Sequence, residues 1–298
     1  MKILICGASG FVGKHLVQDL RSAGHIVIRG VRTPKEEGDI AIDYINDTDA
    51  AIWIPRLQGI EVVINAVGVL RDSSANPMQR LHTDTPLALF AACAEAGVAR
   101  IVHISALGVD SGIPVPYFAT RLAAEAGLQA LPSSIRTLCL RPSVIYGEDG
   151  ASAKMFRQMA QLPAQVLPMG GVQTLQPVHI DDICAAVAHW LADPDAQSAL
   201  VAAVGAEATT MRNMLDSYRA QLGHSPAVHI SMPRPLARLA AWTGDFIPAA
   251  PLCSDTYAML EAGNTADTKG FVALLGRLPR AYTSFIGTNN IYPHAHQK

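Results

Sequence analysis

The sequence predicts an α/β fold, with a doubly wound parallel sheet and a smaller C-terminal lobe. Two observations predict the sheet. Short apolar runs alternate with helical patterns through the first two-thirds of the chain, and the first run leads through a glycine-rich turn into the first helix. Such alternation implies right-handed crossovers between parallel strands, with helices on both faces of the sheet. The alternation loosens after about residue 146, which predicts the separate lobe.

Six apolar runs are expected to form strands. They are Lys2–Cys6, Ile26–Val31, Ala41–Asp43, Glu61–Ala66, Arg100–Ser105 and Arg136–Leu140. Three helices are predicted between them from their apolar periodicity and composition. They are Phe11–Ala23, Pro86–Ala96 and Tyr117–Ala130. Glycines at 24 and 97 follow the first two helices, and glycine commonly ends a helix.

Shorter elements are predicted beyond residue 146. We expect helices over 152–162 and 209–221, an irregular segment over 166–176 and a strand over 200–204. A helix ending near Leu191 is expected to begin with Asp181 or Asp182 as its cap, because a carboxylate there accepts hydrogen bonds from free N–H groups.

Composition excludes several classes of protein. Half of the 298 residues are hydrophobic, 16% are charged and the formal net charge is −2, so a large core is expected and a nucleic-acid-binding surface is not. The five cysteines form no Cys-x-x-Cys pair, which favours free thiols in a reducing compartment and no metal site. The apolar run at 3–6 is too short for a signal peptide, and no run is long enough to span a membrane. We therefore expect a soluble, cytoplasmic protein.

The first strand runs directly into a turn that reads Gly7-Ala8-Ser9-Gly10-Phe11-Val12-Gly13. Gly7 permits the sharp turn, Gly10 has no Cβ to obstruct a phosphate, and Gly13 lets the helix pack closely on the strand. Unpaired N–H groups at the helix start then face an anionic pyrophosphate. This context predicts a Rossmann unit that binds a dinucleotide; the alternative is a tight turn without a ligand. The expected contacts are Gly7, Ser9, Gly10, Phe11, Val12 and Gly13.

Two further motifs follow predicted strands. Asn65-Ala66-Val67-Gly68 follows the fourth strand, and Leu140-Arg141-Pro142-Ser143-Val144-Ile145-Tyr146-Gly147 continues from the sixth. With the G-x-x-G-x-x-G spacing of the turn, they resemble the short-chain dehydrogenase/reductase superfamily. The chain length and the segments 176–182 and 275–286 resemble its extended or atypical branch, and within it the group related to the NAD(P)-binding accessory subunit of respiratory complex I.

The resemblance implies how the chain is divided and where the cofactor lies. We expect a Rossmann NAD(P)-binding domain over residues 1–146, to which residues 176–192 return, and a smaller C-terminal substrate lobe over 147–298. The resemblance adds Ala66, Val67 and Gly68 to the cofactor contacts. It also places Pro142, Ser143 and Val144 beside the nicotinamide.

The end of the second strand bears on the choice between NADP and NAD. It reads Ile28-Arg29-Gly30-Val31-Arg32 and lacks the carboxylate that holds the ribose 2′-hydroxyl in NAD-preferring units. Arg32, or Arg29, can instead bind a 2′-phosphate through charge-assisted hydrogen bonds, unless Arg32 is a solvated surface arginine. We predict NADP as the cofactor, with NAD as the alternative. Asp43 lies where the superfamily often places a residue that contacts the adenine.

The superfamily uses a serine, a tyrosine and a lysine in catalysis. Ser105 ends the fifth strand and would polarise the substrate oxygen, and Tyr117 would be the general acid or base. The lysine position, which in the family also contacts the cofactor ribose beside the tyrosine, is Arg121. At i, i+4 its charge still lies near the phenol, but a guanidinium does not release a proton. Alternatively, Arg121 pairs with Glu125 and Tyr117 is a packed aromatic residue.

Other candidates have ordinary structural explanations. His179 with Asp181 and Asp182 resembles a metal or acid–base cluster, but a hydrogen-bonded histidine and a helix cap are more common. His103 near Ser105 lacks the G-x-S-x-G context of a hydrolase. Arg71 and Asp72 line the substrate cleft or a solvated loop. The apolar face with two arginines in Pro233–Pro251 either covers the cleft or binds a membrane surface or a partner.

These features predict an NADP-dependent oxidoreductase or epimerase/dehydratase-like enzyme. Its substrate is expected to be a small polar or nucleotide-linked molecule. The alternative, favoured by the arginine at 121, is a non-catalytic NADP(H)-binding protein of the same fold. Such a protein would have a structural, assembly or sensor role and could associate with a larger complex.

Overall fold

The computed structural model describes residues 1–247 and 250–287. Its strands are β1 (Lys2–Cys6), β2 (Ile26–Val31), β3 (Ile40–Ala41), β4 (Val62–Asn65), β5 (Arg100–Ile104), β6 (Arg136–Pro142), β7 (Ile145–Tyr146), β8 (Ala164–Pro168), β9 (Thr174–Leu175), β10 (Val178–His179), β11 (Ala199–Ala203), β12 (Thr209–Thr210) and β13 (Val228–Met232). Its α-helices are α1 (Phe11–Ser22), α2 (Ala50–Trp53), α3 (Thr85–Ala96), α4 (Pro116–Gln129), α5 (Ala151–Gln161), α6 (Ile180–Ala192), α7 (Met211–Gln221), α8 (Arg234–Asp245), α9 (Ser254–Ala262) and α10 (Lys269–Leu275).

The centre of the fold is a seven-stranded parallel sheet with the order β11-β6-β5-β4-β1-β2-β3. The order reverses at β1, which pairs with β2 on one side and β4 on the other. Cys6 lies beside Gly30 and Asn65, so the carboxyl ends of these three strands align. Sheets of this kind bind ligands in the crevice outside such a reversal. The predicted doubly wound parallel sheet is confirmed.

Helices cover both faces of the sheet and bury its apolar residues. On one face, Leu16 of α1 and Val187 of α6 pack with Phe271 of α10. On the other face, Trp53 of α2 belongs to the same apolar cluster as Leu89 of α3 and Leu128 of α4. Burial on both faces explains why the sheet strands read as nearly continuous apolar runs and not as alternating ones.

The sheet also takes in residues from beyond the expected first domain. Residues 199–203 belong to the stretch 147–298 assigned to the lobe, yet β11 pairs in parallel with β6, from Ala199 opposite Leu138. Helix α6, within the returning segment 176–192, contacts α1, and α10 contacts α6 and β11. Residues 248, 249 and 288–298 of the expected lobe lie outside the described ranges.

Smaller clusters hold the rest of the C-terminal half. Phe156 of α5 packs in one apolar cluster with Met214 and Tyr218 of α7. Helices α8 and α9 pack through Ala237, Ala241 and Tyr257. The segment 166–176, expected to be irregular, contains part of β8 and all of β9. Within the described ranges, no helix combines the length and apolarity needed to cross a membrane.

Two local predictions were wrong. The third strand ends at Ala41 and does not reach Asp43, because the Asp43 carboxylate accepts the N–H of Ile45 and starts a turn. Helix α6 is capped by neither Asp181 nor Asp182. Instead Nδ1 of His179 accepts the N–H of Asp181 at 3.2 Å, which is the capping role usually taken by a short polar side chain.

Candidate active site

Two glycines of the turn, Gly7 and Gly13, are packed too tightly to carry a side chain. Gly7 has φ +78°, and a Cβ there would lie 3.0 Å from the backbone of Ala66. A Cβ on Gly13 would lie 2.1 Å from the Gly7 carbonyl oxygen. The glycines therefore allow α1 to begin directly against the end of β1, at the crevice of the sheet.

The start of α1 is open to an anion. Gly10 occupies the N-cap position and no side chain caps the helix. The first N–H groups of an α-helix have no partner within the helix, and they carry the positive end of its dipole. Phe11 and Val12 begin the helix; the Phe11 ring packs beside Gly147, where a Cβ would lie 2.7 Å from it.

A cleft of about 180 Å³ lies beside the turn. Its lining includes eight of the residues predicted to bind the cofactor. They are Gly7, Ser9, Gly10, Arg32, Asp43, Ala66, Val67 and Gly68. Tyr44, Asn76 and Leu81 also line the cleft and were missed, because no short motif marks them.

The two arginines of β2 and its end have different surroundings. Arg29 is held by ion pairs to Glu36 and, at 3.2 Å, to Asp39. Arg32 lines the cleft and is exposed. Across from it, hydrogen bonds from Asn46 and the Ile45 N–H, together with the charge of Arg32, lower the pKa of Asp43. Arg32 is thus the arginine that faces the cleft.

A buried polar chain runs beneath the cleft. The Tyr44 hydroxyl donates to Asn65 at 3.0 Å, and the Asn65 amide contacts His103 Nδ1 at 3.2 Å. Asn65 also accepts the N–H of Val67, which fixes the start of the Val67–Gly68 segment. These residues lie on β4, β5 and the 42–47 segment, so sequence spacing did not link them.

Ser105 lies immediately beyond β5. Its backbone N–H donates to Leu140 O at 2.7 Å, and the residue is 4% exposed. Its Oγ has no hydrogen-bond partner among the described residues. A buried hydroxyl left without a partner is uncommon in folded proteins and leaves the group able to bind a ligand.

Arg121 and Tyr117 lie against each other on α4. The guanidinium carbon is 4.9 Å from the Tyr117 ring centroid, within the range of a cation–π contact. Arg121 also donates to Ile104 O at 2.8 Å, one residue before Ser105. The alternative pairing of Arg121 with Glu125 is absent here, because Glu125 accepts hydrogen bonds from Arg141 at 2.6–3.1 Å.

Two neutral histidines lie beside this pair. The His82 ring contacts Tyr117 edge-to-face at 5.6 Å, and its Nε2 accepts the N–H of Val69. Burial, the charge of Arg121 and nearby His103 lower the pKa of His82 to about 3. Burial and Arg121 lower the pKa of His103 to about 3 as well. Both rings are therefore uncharged at neutral pH.

Pro142 ends β6, and Ser143 and Val144 follow it. The Ser143 N–H donates to Ala203 O at 3.0 Å. Its hydroxyl donates to the side chain of Asn264 at 2.5 Å, and Asn264 in turn donates to Leu107 O. Asn264 was missed because it lies far along the chain, and no motif marks it.

Hydrogen bonds from Arg71 connect the loop after β4 to the end of α8 and to the residues that follow it. Its guanidinium donates to the carbonyl oxygens of Gly244, Asp245, Ile247 and Ala250 at 2.7–3.3 Å. These hydrogen bonds hold the end of α8, Ile247 and Ala250 against the loop after β4. Asp72 is engaged separately, by the N–H of Met78.

The residues present fit a nicotinamide dinucleotide. The cradle at Gly7 and Gly13 leaves no room for a Cβ, the start of α1 is uncapped, and Ser105 Oγ is unpartnered. No cluster of three or more His, Cys, Asp or Glu suited to a metal ion occurs in residues 1–247 or 250–287. The site is therefore built around backbone amides, hydroxyls and a guanidinium.

A family comparison agrees with this geometry. Residues 3–205 match the model of the NAD dependent epimerase/dehydratase family, and the chain belongs to that family, an extended branch of the short-chain dehydrogenase/reductases.

The names of two relatives describe different kinds of protein, a reductase and a subunit of NADH dehydrogenase. The ceramide reductase of Caulobacter vibrioides is 27% identical over 64% of this chain and 61% of its own length, so the match spans less than two thirds of that protein. The mitochondrial NADH dehydrogenase [ubiquinone] 1 alpha subcomplex subunit 9 of Mus musculus is 24% identical over 83% of this chain and 67% of its own length.

Solved structures share the fold. The Escherichia coli quinone oxidoreductase QOR2, complexed with NADPH, has a TM-score of 0.72 at 19% identity, with 94% of this chain and 97% of that chain covered. MoeE5, in complex with UDP-glucuronic acid and NAD, has a TM-score of 0.70 at 20% identity, with 94% of each chain covered. At these identities the likeness concerns the fold alone.

Proposed function

We propose that this protein is an NADP(H)-dependent oxidoreductase that interconverts a carbonyl and an alcohol. The observation that carries the proposal is the grouping of three side chains at one end of the crevice. Arg121 lies over the Tyr117 ring and binds the carbonyl oxygen of Ile104, the residue before Ser105, whose hydroxyl has no partner among the described residues. A proton donor, a hydroxyl and a fixed positive charge are the groups that carbonyl reduction needs from a protein.

Each side chain has a distinct role in the proposal. When bound, the nicotinamide supplies or accepts a hydride. Tyr117 gives a proton to the carbonyl oxygen, and Ser105 donates a hydrogen bond to the same oxygen. The guanidinium of Arg121 stabilises negative charge on the Tyr117 oxygen, and it keeps its own proton throughout.

NADP(H) is the proposed cofactor because of the charge distribution at the end of β2. Arg32 faces the cleft, while Arg29 is paired with Glu36 and Asp39. A guanidinium is well suited to a 2′-phosphate. Ala66–Gly68 and Pro142–Val144 would contact the rest of the cofactor. We further propose a cytoplasmic location.

The test is a Tyr117→Phe variant assayed by NADPH oxidation on a panel of ketones, aldehydes and sugar nucleotides. Loss of the proton donor is expected to lower kcat by about 100-fold or more, with little change in NADPH affinity. Tyr282→Phe is the matched control, since the Tyr282 hydroxyl accepts a hydrogen bond from Thr209, which the proposal gives no role. Equal activity of the Tyr117→Phe variant and the wild type would exclude the proposed role.

A second candidate function is non-catalytic NADP(H) binding, in a structural, assembly or sensor role. The observation that favours it is the engagement of Arg121 by the Ile104 carbonyl, in contact with Gly68, where a Cβ would lie 2.1 Å from the guanidinium. This candidate predicts NADPH binding with no turnover of any panel substrate. It further predicts that an Arg121→Lys variant gains activity, whereas an enzyme that uses Arg121 loses activity on the same change.

A further inference from the structure

The substrate side of Tyr117 is apolar. Tyr117 belongs to a cluster formed by the loop after β5, the start of α4 and one face of α9. Ile113, Ala258 and Met259 are its partly buried members. A molecule bound against this cluster would therefore meet aliphatic and thioether side chains beside the Tyr117 ring.

Besides Arg121, which lies against Tyr117, the loop after β4 supplies the cation Arg71, and its hydrogen bonds are already in use. The four carbonyl oxygens bound by Arg71 surround its guanidinium. The carboxylates of Asp245 and Asp255 lie close enough to Arg71 for its charge to lower their pKa values. Burial and the negative charge of Asp245 raise the pKa of Asp255, and Arg71 opposes this rise. A diphosphate arriving here would meet two carboxylates and a guanidinium whose hydrogen bonds are in use.

The arginines of α8 are also paired. Arg234 forms an ion pair with Glu261 of α9 at 2.7 Å, and Arg238 lies 3.7 Å from the same carboxylate. A nucleotide-linked sugar carries a diphosphate, and phosphate recognition by proteins relies on Arg or Lys with donors to spare. Arg71, Arg234 and Arg238 thus already have carbonyl or carboxylate partners, and a diphosphate bound beside them would have to compete for their N–H groups.

The rim of the crevice is apolar as well. Leu70 is 53% exposed and precedes Arg71, while Phe246 is 70% and Ile247 55% exposed on the segment that Arg71 binds. Exposed large apolar side chains that group together mark binding surfaces more often than isolated ones do. Phe246 also contacts the Trp242 ring at 5.2 Å, so exposed apolar side chains group beside the carbonyl oxygens that Arg71 binds.

We propose that the substrate is an uncharged carbonyl compound with an apolar chain or ring, in place of the small polar or nucleotide-linked molecule expected from the sequence. This inference rests on the proposed function. In the reduction, the carbonyl carbon accepts a hydride from NADPH, and the carbonyl oxygen takes a proton from Tyr117, giving an alcohol and NADP⁺. Tyr117 then regains its proton from solvent. The apolar part of the substrate packs against Ile113 and Met259.

Calorimetric titration of the protein in saturating NADPH tests the substrate class without requiring turnover. The probes are 2-nonanone, 4-phenyl-2-butanone and UDP-glucose. At least one ketone is expected to bind saturably, and at least about tenfold more tightly than UDP-glucose. Met259→Lys in α9 and Ile113→Lys in the loop after β5 are each expected to weaken ketone binding about tenfold, because an ammonium would take the place of an apolar contact. Leu162→Lys, at an exposed leucine in the α5–β8 connection, is the matched control and should leave binding unchanged.

Three results would overturn the inference. They are UDP-glucose binding as tight as that of the ketones, no saturable binding of either ketone, or ketone binding unchanged in both cluster variants. A thermal melt of each variant shows whether it folds; if one does not, the other and the wild-type comparison decide. Saturable ketone binding without NADPH oxidation would count against the proposed function and leave the substrate class standing.

Discussion

The turn at Gly7–Gly13 and the surroundings of Tyr117 lie along the same crevice but are built in different ways. The turn consists of residues adjacent in the chain, and its contacts are to the neighbouring strand ends. The surroundings of Tyr117 come from the loop after β5, from α4 and from α9, with His82 from the segment after β4. A site of the first kind can be found from a short motif, whereas one of the second kind exists only after the chain has folded.

The largest expected effect is in the turn. Gly13→Ala would place a Cβ 2.1 Å from Gly7 O, where only backbone movement can make room. We expect a loss of about 3 kcal/mol in the free energy of unfolding and weaker NADPH binding, measured by urea denaturation and calorimetric titration. Gly270→Ala is the matched control, because its nearest atom is 3.8 Å away and a helical alanine is favoured over glycine. Equal stability of the two variants would show that the turn is not tightly packed.

The second-largest effect concerns His103, one of the two buried histidines near Tyr117 and Arg121. Because His103 has a pKa of about 3 when folded and about 6.5 when unfolded, the unfolded chain binds more protons between these values. Stability should therefore fall as the pH drops below about 6.5, by about 2 kcal/mol at pH 5 for this residue.

Urea midpoints of the wild type and a His103→Gln variant between pH 5 and 7.5 measure this contribution. The variant should show a pH slope smaller by about 1.4 kcal/mol per pH unit below pH 6.5. His224→Gln, at an exposed histidine, is the control with an unchanged slope. A slope that His103→Gln does not change would mean that His103 is not held neutral in the folded protein.

The smallest effect concerns the cofactor end of the crevice. Arg32→Ala should raise the Kd for NADPH about tenfold, because one exposed charge-assisted contact to a 2′-phosphate is lost. The Kd for NADH should stay within about twofold. Lys35→Ala, a nearby exposed cation, serves as the control in the same titrations. Parallel changes for both nucleotides would refute the proposed preference for NADP.

The sequence anticipated features that depend on neighbouring residues. The strand–glycine–helix order predicted the crevice, and the i, i+4 spacing placed Arg121 beside Tyr117. The sequence did not reveal that Glu125 forms an ion pair with Arg141, since these two residues meet only when α4 packs on β6. Asn264 could not be predicted either, because its contact with Ser143 closes a long loop that leaves no periodic pattern.

The position of β11 has a consequence for how the chain is made. Strand β6 lies between β5 and β11, so its outer edge pairs with residues 199–203. During synthesis the ribosome releases β6 well before β11. In that interval Leu138, Cys139 and Leu140 present an unpaired, apolar edge, which is a template for association with other chains. A nascent or truncated chain that ends at residue 146 would keep this edge open, and we expect it to aggregate where the longer chain completes its sheet.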